Sequence, residues 1–285
     1  MKRWRNKINN FYDIIIIGGG AAGLLAGGIS AKAGKSVLLF DKNEKLARKV
    51  RITGKGRCNL TNNCDAQSVI AAVPGNGKFL YSAINAFPPR DVMTFFEEQG
   101  VPLKTERGNR VFPVSDNAND IANALGRFAK INGVHFQQIT VMEVLTDQGR
   151  VIGVKAGGER YEAEKVLVAT GGASYCATGS TGDGYRFAAA LGHRVIPPRP
   201  SLVALTSHGV DCTQMQGLAL KNCGLTLWEQ KKNKCVYEDF GELLFTHFGI
   251  SGPIVLSASA HMREEGEYRL LLDMKPALSF EQLDA

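Results

Sequence analysis

The residues best placed to do chemistry are Gly18-Gly19-Gly20-Ala21-Ala22-Gly23 and an acid that follows them, Asp41. The six read G-x-G-x-x-G, directly after the aliphatic run Ile14–Ile17 and ahead of a stretch rich in alanine and leucine. At such a turn each glycine has a mechanical task. Gly18 permits the tight bend, Gly20 lets backbone amides approach a pyrophosphate, and Gly23 lets the helix pack closely on the strand, while the helix N-terminus offers unpaired N–H groups and partial positive charge. Asp41 stands eighteen residues beyond Gly23, at the end of a second apolar run, where a carboxylate accepts hydrogen bonds from a ribose diol. Together these residues predict a dinucleotide site. The acid also disfavours a 2′-phosphate, because two anions would meet without a compensating cation, so NADP is not expected in this pocket.

A second segment, VLVATGG (166–172), ends a run of small apolar residues whose low bulk would let an adenosine or pyrophosphate lie against the backbone. Other reactive side chains are less organised. His247, in THFGISG, is the acid–base candidate because glycines give access to it, but a lone histidine beside Phe245 and Phe248 reads more readily as a hydrogen-bonded structural residue. Cys58 would be redox-active if Arg57 lowered its pKa, and inert if buried. The six cysteines (Cys58, Cys64, Cys176, Cys212, Cys223, Cys235) form no C-x-x-C pair and no zinc-type Cys/His spacing, so neither a dithiol centre nor a metal site is predicted.

These residues need strands and helices to hold them. Phe11–Ile17 is the composition of a strand buried on both faces, Gly20–Ala33 a helix stopped by Gly34, and Ser36–Phe40 a second buried strand, which together make a βαβ unit. Residues 42–64 read as a long irregular loop past the carboxyl end of that second strand, where open α/β sheets bind ligands. Pro88–Gln99 and Asp116–Asn132 read as amphipathic helices, the second capped by Asp116, with a hairpin over Val101–Pro113 between them. Val134–Leu145, Val151–Ala156 and Tyr161–Ala169 then form a three-stranded meander. A glycine-rich turn, GSTGDG (179–184), opens a helix ending near Gly192, and prolines 197, 198 and 200 mark a crossover. Beyond it, Leu202–Ser207, Gly217–Glu229, Cys235–Phe240, Glu242–Phe245 and Tyr268–Asp273 read as strands, with one helix near Gly252–Arg263. The expected organisation is a basic tail (1–10), a nucleotide-binding domain (11–197) and a β-rich domain (198–285).

Composition sets the class. With 44% apolar and 21% charged residues among 285, the chain is ordinary globular material with a large core available. The formal charge of +7 is dispersed except at Lys2–Lys7 and Lys231–Lys234, which suits a solvated surface biased toward anionic ligands, with nucleic acid not expected as a partner. The basic start and the apolar stretch to Ile29 imitate a membrane anchor, but glycines at 18, 19, 20, 23, 27 and 28 weaken any inserted helix, so no membrane partner is expected. The cysteine usage suits reduced thiols and a cytoplasmic location.

Four motifs in one order, GGGAAGL, KVRITGKGRCNLTN (49–62), ATGGASYCATGSTGDGY (169–185) and GELLFTHFGISGP (241–253), make the chain similar to the BaiN-like family of bacterial NAD(P)/FAD-dependent, aminoacetone-oxidase-like flavoproteins. The likeness runs over essentially the whole chain. It implies an α/β fold, a Rossmann-type FAD-binding domain with a three-stranded β-meander plus a second, β-rich insertion domain. It also implies FAD held extended across the sheet, with Gly18, Gly20 and Gly23 at the pyrophosphate, Asp41 at the ribose, and Ala21, Ala22, Lys42 and Lys49 also binding the cofactor. Ala169, Thr170 and Gly171 would lie against the nucleotide and Val141 would meet adenine. Gly54, Gly56, Arg57, Cys58 and Asn59 would lie near the flavin, with Arg57 stabilising negative charge on the reduced ring.

The activity so implied is that of an FAD-dependent oxidoreductase moving hydride or electrons between a small organic substrate, or transiently bound NAD(P)H, and an acceptor. Because the cofactor itself carries that chemistry, no catalytic residue is assigned. The chain departs from the family at Ala47-Arg48-Lys49, where Gly-Arg-Lys is usual, and at Tyr175-Cys176, where Tyr-Pro is usual. Family members also return to the first domain with a further glycine-rich segment, and none follows Ala285. The expectation is therefore weak FAD retention and slow turnover, with two rivals: a truncated flavin-binding protein without turnover, and a flavoprotein acting on tRNA, the latter favoured only by charge.

Overall fold

The computed structural model describes residues 11–263 and 265–283, so the basic tail expected over residues 1–10 lies outside the described residues. The chain divides between Ile196 and Pro197 into two compact units.

The first unit begins with β1 (Phe11–Ile17), α1 (Ala21–Lys32) and β2 (Val37–Phe40), the βαβ unit read from the sequence. Alternation decides which face each side chain covers. Ile16, Val37 and Leu39 pack with Leu24 of α1 on one face, while Ile15, Ile17, Leu38 and Phe40 pack into a second core on the other. Both faces are therefore buried, which is why the runs are aliphatic without polar interruption.

The stretch expected to be irregular is more ordered than its composition suggests. It holds α2 (Arg48–Ile52), a tight turn over Thr53–Gly56 in which Gly54 and Lys55 are left-handed, and β3 (Thr61–Asn62). After α3 (Ala66–Ala71), α4 (Tyr81–Ala86) and α5 (Pro89–Glu98), β4 (Leu103–Glu106) and β5 (Arg110–Pro113) form the expected hairpin, and β3 adds to it as a third antiparallel strand. The next helix, α6, spans Ala118–Ile131 and is capped by Asn117, whose side chain accepts from the Asn119 N–H, rather than by Asp116. Asp116 has φ 54° and turns its carboxylate away, to Arg57 and Lys104.

The meander also differs from expectation. The run expected as one strand over Val134–Leu145 is two, β6 (His135–Gln137) and β7 (Val141–Asp147), which lie on opposite edges of one six-stranded sheet ordered β6-β2-β1-β9-β8-β7. Here β8 is Arg150–Ala156 and β9 is Glu159–Val168. Strands β6, β2, β1 and β9 are parallel neighbours, and β9, β8 and β7 form the antiparallel part. Periodicity reports that a residue is extended but not which edge it joins, so the crossing over Gln138–Thr140 was invisible in the pattern. The unit closes with α7 (Asp183–Ala190).

The second unit is a five-stranded antiparallel sheet. It comprises β10 (Leu205–Thr206), a short α8 (Asp211–Gln214), β11 (Ala219–Glu229), β12 (Lys234–Thr246), β13 (Gly249–Ser251), α9 (Pro253–Ser259) and β14 (Tyr268–Asp273), in the order β10-β13-β12-β11-β14. The two strands expected over Cys235–Phe240 and Glu242–Phe245 are one. Gly241 does not break it: it stays paired opposite Cys223, and a side chain there would press at 2.8 Å on Ile254 of α9. The glycine serves close helix–sheet approach, a use that local pattern confuses with a turn. The core of this unit is Cys223, Leu225, Leu227, Leu243, Phe245, Ile254, Val255 and Ala258.

Two features of the first unit carry predictions. In α1, a Cβ on Gly28 would overlap the Phe128 ring of α6, whereas a Cβ on Gly126, inside α6, meets nothing within 4 Å. Gly28→Ala should therefore destabilise by about 1–3 kcal/mol through overpacking, and Gly126→Ala should stabilise by roughly 0.5–1 kcal/mol through helix propensity. Urea unfolding of both variants checks the opposite signs.

The second feature is the clamp that joins the 53–59 segment to the hairpin. Arg57 stacks 4.2 Å from the centre of the Phe112 ring and forms ion pairs with Glu106 and Asp116, and Lys104 bonds Asp116 at 2.7 Å. The hydrogen bond from Arg57 holds Glu106 below the usual carboxylate range, those from Lys104 and Arg57 do the same for Asp116, and both carboxylates raise Arg57. A carboxyl lowered on folding contributes stability that is present above its unfolded value and is lost as pH falls through its folded one. Asp116→Asn should accordingly lower the melting temperature at neutral pH, with the gap to the parent closing on acidification below the usual carboxylate range. A gap that stays constant down to that pH would mean the ion pairs contribute nothing.

Candidate functional site

The site starts at the level ends of three parallel strands. Ile17 pairs with Phe40 on one side and with Val168 on the other, so the chain leaves β2, β1 and β9 at one height. The departing segments enclose a cleft of about 370 Å³, at the carboxyl ends where open α/β sheets place ligands.

The first turn is stitched to both neighbours: the Gly18 N–H donates to Phe40 O at 2.8 Å and the Ala169 N–H donates to Ile17 O at 2.8 Å. Gly18 has φ 111°, and any side chain there would overlap the Ala169 carbonyl. Gly23 sits beneath the turn, where a side chain would overlap the Gly18 carbonyl. Gly20 is different in kind. A Cβ there meets no protein atom within 4 Å, so nothing in the fold requires a glycine, and the space in front of it belongs to the cleft. Gly20 is also the N-cap of α1, which has no side-chain cap and no acid in its first turn, so its first N–H groups and the positive end of its dipole remain available to an anion.

Asp41 closes the adjoining wall. Its Oδ2 accepts from the Gly19 N–H at 2.7 Å, and its Oδ1 accepts from the Asn43 N–H at 2.7 Å and from Asn43 Nδ2 at 2.9 Å. Asn43 is held in turn by Arg48 Nη1, which donates to its Oδ1 at 2.8 Å. The carboxylate is thus oriented before any ligand arrives. Asn43 and Arg48 were missed from sequence, although an acid followed by Asn two residues on is the spacing of an Asx turn. Lys42 reaches across to the turn before α7, donating to Thr181 Oγ1 at 2.7 Å and Asp183 Oδ2 at 2.8 Å. Burial alone would raise Asp183, but the bonds from Lys42 and Thr181 and the lysine charge outweigh it and hold the carboxyl below its ordinary value.

Of the residues singled out from sequence, Gly18, Gly20, Ala21, Ala22, Asp41, Lys42, Lys49, Val141, Ala169, Thr170 and Gly171 line this one cleft. Gly23 supports it from below. Gly54, Gly56, Arg57, Cys58 and Asn59 do not line it, and only Thr53 of that segment does. The left-handed turn at Gly54 and Lys55 folds the loop back on itself, with the Arg57 N–H donating to Gly54 O and the Cys58 N–H to Thr53 O. The Arg57 guanidinium, expected near a flavin, is bonded here to Glu106 and Asp116 and stacks on the Phe112 face. Cys58 is buried, and burial pushes its thiol up rather than Arg57 pulling it down, which removes the basis for a reactive thiolate. His247 is exposed in the turn between β12 and β13 of the second unit, edge-on to Phe248. Further lining comes from residues that the sequence reading did not assign to the site, among them Ile139, Thr140, Thr178, Ser180, Asp183 and Phe187.

The donor set fits a dinucleotide: an uncapped helix end behind an open glycine, an oriented carboxylate one strand away, and the small-residue turn Ala169–Gly171 opposite. Among the described residues no helix is long and apolar enough to cross a membrane, and no cluster of His, Cys, Asp and Glu is arranged to hold a metal ion.

The model of the HI0933-like protein Rossmann domain matches residues 12–243. The chain is 32% identical over 263 residues to a ribosomal RNA dihydrouridine synthase of Haemophilus influenzae, covering 88% of this chain and 62% of that protein. It is 30% identical over 275 residues to a 3-dehydro-bile acid delta(4,6)-reductase of Clostridium scindens, covering 94% of this chain and 66% of that one. The chain thus spans less than two thirds of the length of these relatives. Among solved structures, a flavocytochrome c3 fumarate reductase in an open conformation shares the fold, with a TM-score of 0.55 and 19% identity over 74% of this chain and 47% of that one. The family match bears out the resemblance read from the four motifs: the chain belongs to the HI0933-like, FAD-binding Rossmann family.

Proposed function

We propose that this chain is the FAD-binding part of an oxidoreductase that adds hydrogen across a conjugated double bond of an organic substrate, using NAD(P)H as a transient electron source. The observation that carries the reading is the open space at Gly20, in front of the uncapped end of α1 and beside an oriented Asp41. In this reading α1 and the Gly18–Gly20 turn hold the pyrophosphate, Asp41 holds the adenosine ribose, Val141 contacts the adenine and Thr170-Gly171 backs the nucleotide. Lys42, bound to Thr181 and Asp183, holds the two walls of the cleft together. When bound, FAD supplies the hydride-carrying chemistry, and the residues named here bind and orient it. The names of the two relatives support the reaction class, since a dihydrouridine synthase and a delta(4,6)-reductase are both named for saturating a double bond.

The chain has one strand–G-x-G–helix fingerprint, so NAD(P)H is proposed to bind weakly and briefly rather than in a nucleotide domain of its own. A small organic molecule is the first choice of substrate. An RNA substrate is the second reading, favoured by the +7 charge and the name of the Haemophilus relative.

The cofactor assignment is checked by fluorescence titration with FAD. Gly20→Val should weaken binding by roughly 2–3 kcal/mol, because the side chain fills the ligand's space, while lowering the melting temperature of the free protein only by the modest cost of a valine N-cap on α1. Asp41→Asn should weaken binding by about 1–2 kcal/mol, the scale of a charge-assisted hydrogen bond. Normal FAD affinity in the Gly20 variant would sink the cleft as the cofactor site. The reaction class is checked by reducing the flavin-loaded protein anaerobically with NADPH and following reoxidation by a conjugated steroid enone and by a uridine-containing RNA fragment. Reoxidation by the enone supports the first substrate reading and by the RNA the second, while no reoxidation by either argues against double-bond reduction by this chain.

A further inference from the structure

The turn between β9 and α7 contains a side chain that the cofactor reading above does not use. Ser180 is one of the few buried polar residues among those described, at 8% exposure, and it lines the cleft. Among the described residues its hydroxyl neither donates to nor accepts from any protein atom, and it is not sealed away from the cleft. Open to the cleft and unpaired with protein, the hydroxyl can bond water in the free protein and exchange it for a ligand oxygen in the complex.

Its surroundings are rigid on every side. The Gly182 N–H donates to Gly172 O, Lys42 holds Thr181 and Asp183, and Thr181 Oγ1 donates to Asp183 Oδ2 at 3.0 Å. On the other flank, Asn43 Nδ2 donates both to Asp41 Oδ1 and, at 3.4 Å, to the Thr178 carbonyl, so the turn is tied to the carboxylate wall through a single side chain. Below it, a Cβ on Gly171 would press at 2.8 Å on the Ser180 hydroxyl, so the glycine keeps that oxygen's surroundings clear. The hydroxyl therefore sits in a fixed place between the Asp41 wall and the Thr170-Gly171 turn.

We infer that Ser180 is a binding residue for the adenosine diphosphate half of the dinucleotide, hydrogen-bonding a ribose or phosphate oxygen. The inference rests on the cleft being a dinucleotide site. It differs from a structural role in the sign of its effect, because a hydroxyl unpaired in the free protein and paired in the complex should be dispensable in one and missed in the other.

The test measures FAD and ADP affinities by titration, and the melting temperature of the flavin-free protein, for the parent chain and Ser180→Ala, with Gly20→Val as a control. The expected result is roughly 3- to 10-fold weaker binding of both FAD and ADP by Ser180→Ala, with a flavin-free melting temperature equal to or above the parent's. If the parent and Ser180→Ala bind both ligands equally while Gly20→Val binds neither, the cleft reading stands and the Ser180 inference is overturned. A lower flavin-free melting temperature in Ser180→Ala also overturns it, because the hydroxyl would then serve the fold. Weakened FAD but unchanged ADP binding overturns its placement on the adenosine side. Failure of the parent to bind either ligand, or normal binding by Gly20→Val, removes the dinucleotide reading and the inference with it.

Discussion

Everything at this site depends on how closely α1 approaches the end of β1. The carbonyl of Gly18 lies where a side chain on residue 23 would be, and the carbonyl of Ala169 lies where a side chain on residue 18 would be. Only hydrogens fit at those two positions, and with them the helix can begin immediately beyond the strand. That proximity aims the end of α1 at the cleft and lets β9 lie directly against β1. A bulkier turn would push the helix outward, and the anion-attracting end would no longer face the strand ends.

The glycines of the fingerprint therefore separate into two kinds. Gly18 and Gly23 are required by the protein's own packing, whereas a side chain at Gly20 would meet no protein atom and would project into the cleft. A motif read as one unit in sequence is a structural pair plus one cleft-facing position. The same distinction recurs on the opposite wall, where Gly171 makes room for the Ser180 oxygen.

The cleft is assembled from segments far apart in the chain, and polar bonds hold them in place. Lys42 and Thr181 are 139 residues apart, and Asn43 and Thr178 are 135 apart. Asp41, the acid legible from its spacing, owes its orientation to the Gly19 amide and to Asn43. Arg57 shows the converse. Its sequence neighbours suggested a cation free for a ligand, but the hairpin and the turn after it bring Glu106, Asp116 and Phe112 to it, and two carboxylates and an aromatic face engage its Nε, its Nη2 and its ring-facing plane.

What the sequence by itself determined is local. The βαβ unit, its glycine turn, Asp41 at the end of β2, the β4–β5 hairpin and the ATGG turn were legible because each is set by the conformational limits and apolar period of a few adjacent residues. Tertiary structure decided the rest: that residues 134–145 divide between opposite sheet edges, that β12 runs through Gly241, that the 53–59 loop turns from the cleft into a charge clamp, and that Ser180 stands buried on the cleft wall. Strand order, helix-to-sheet distance and the partner of a charged or polar side chain depend on residues tens or hundreds of positions away, and no pattern within a short window carries them.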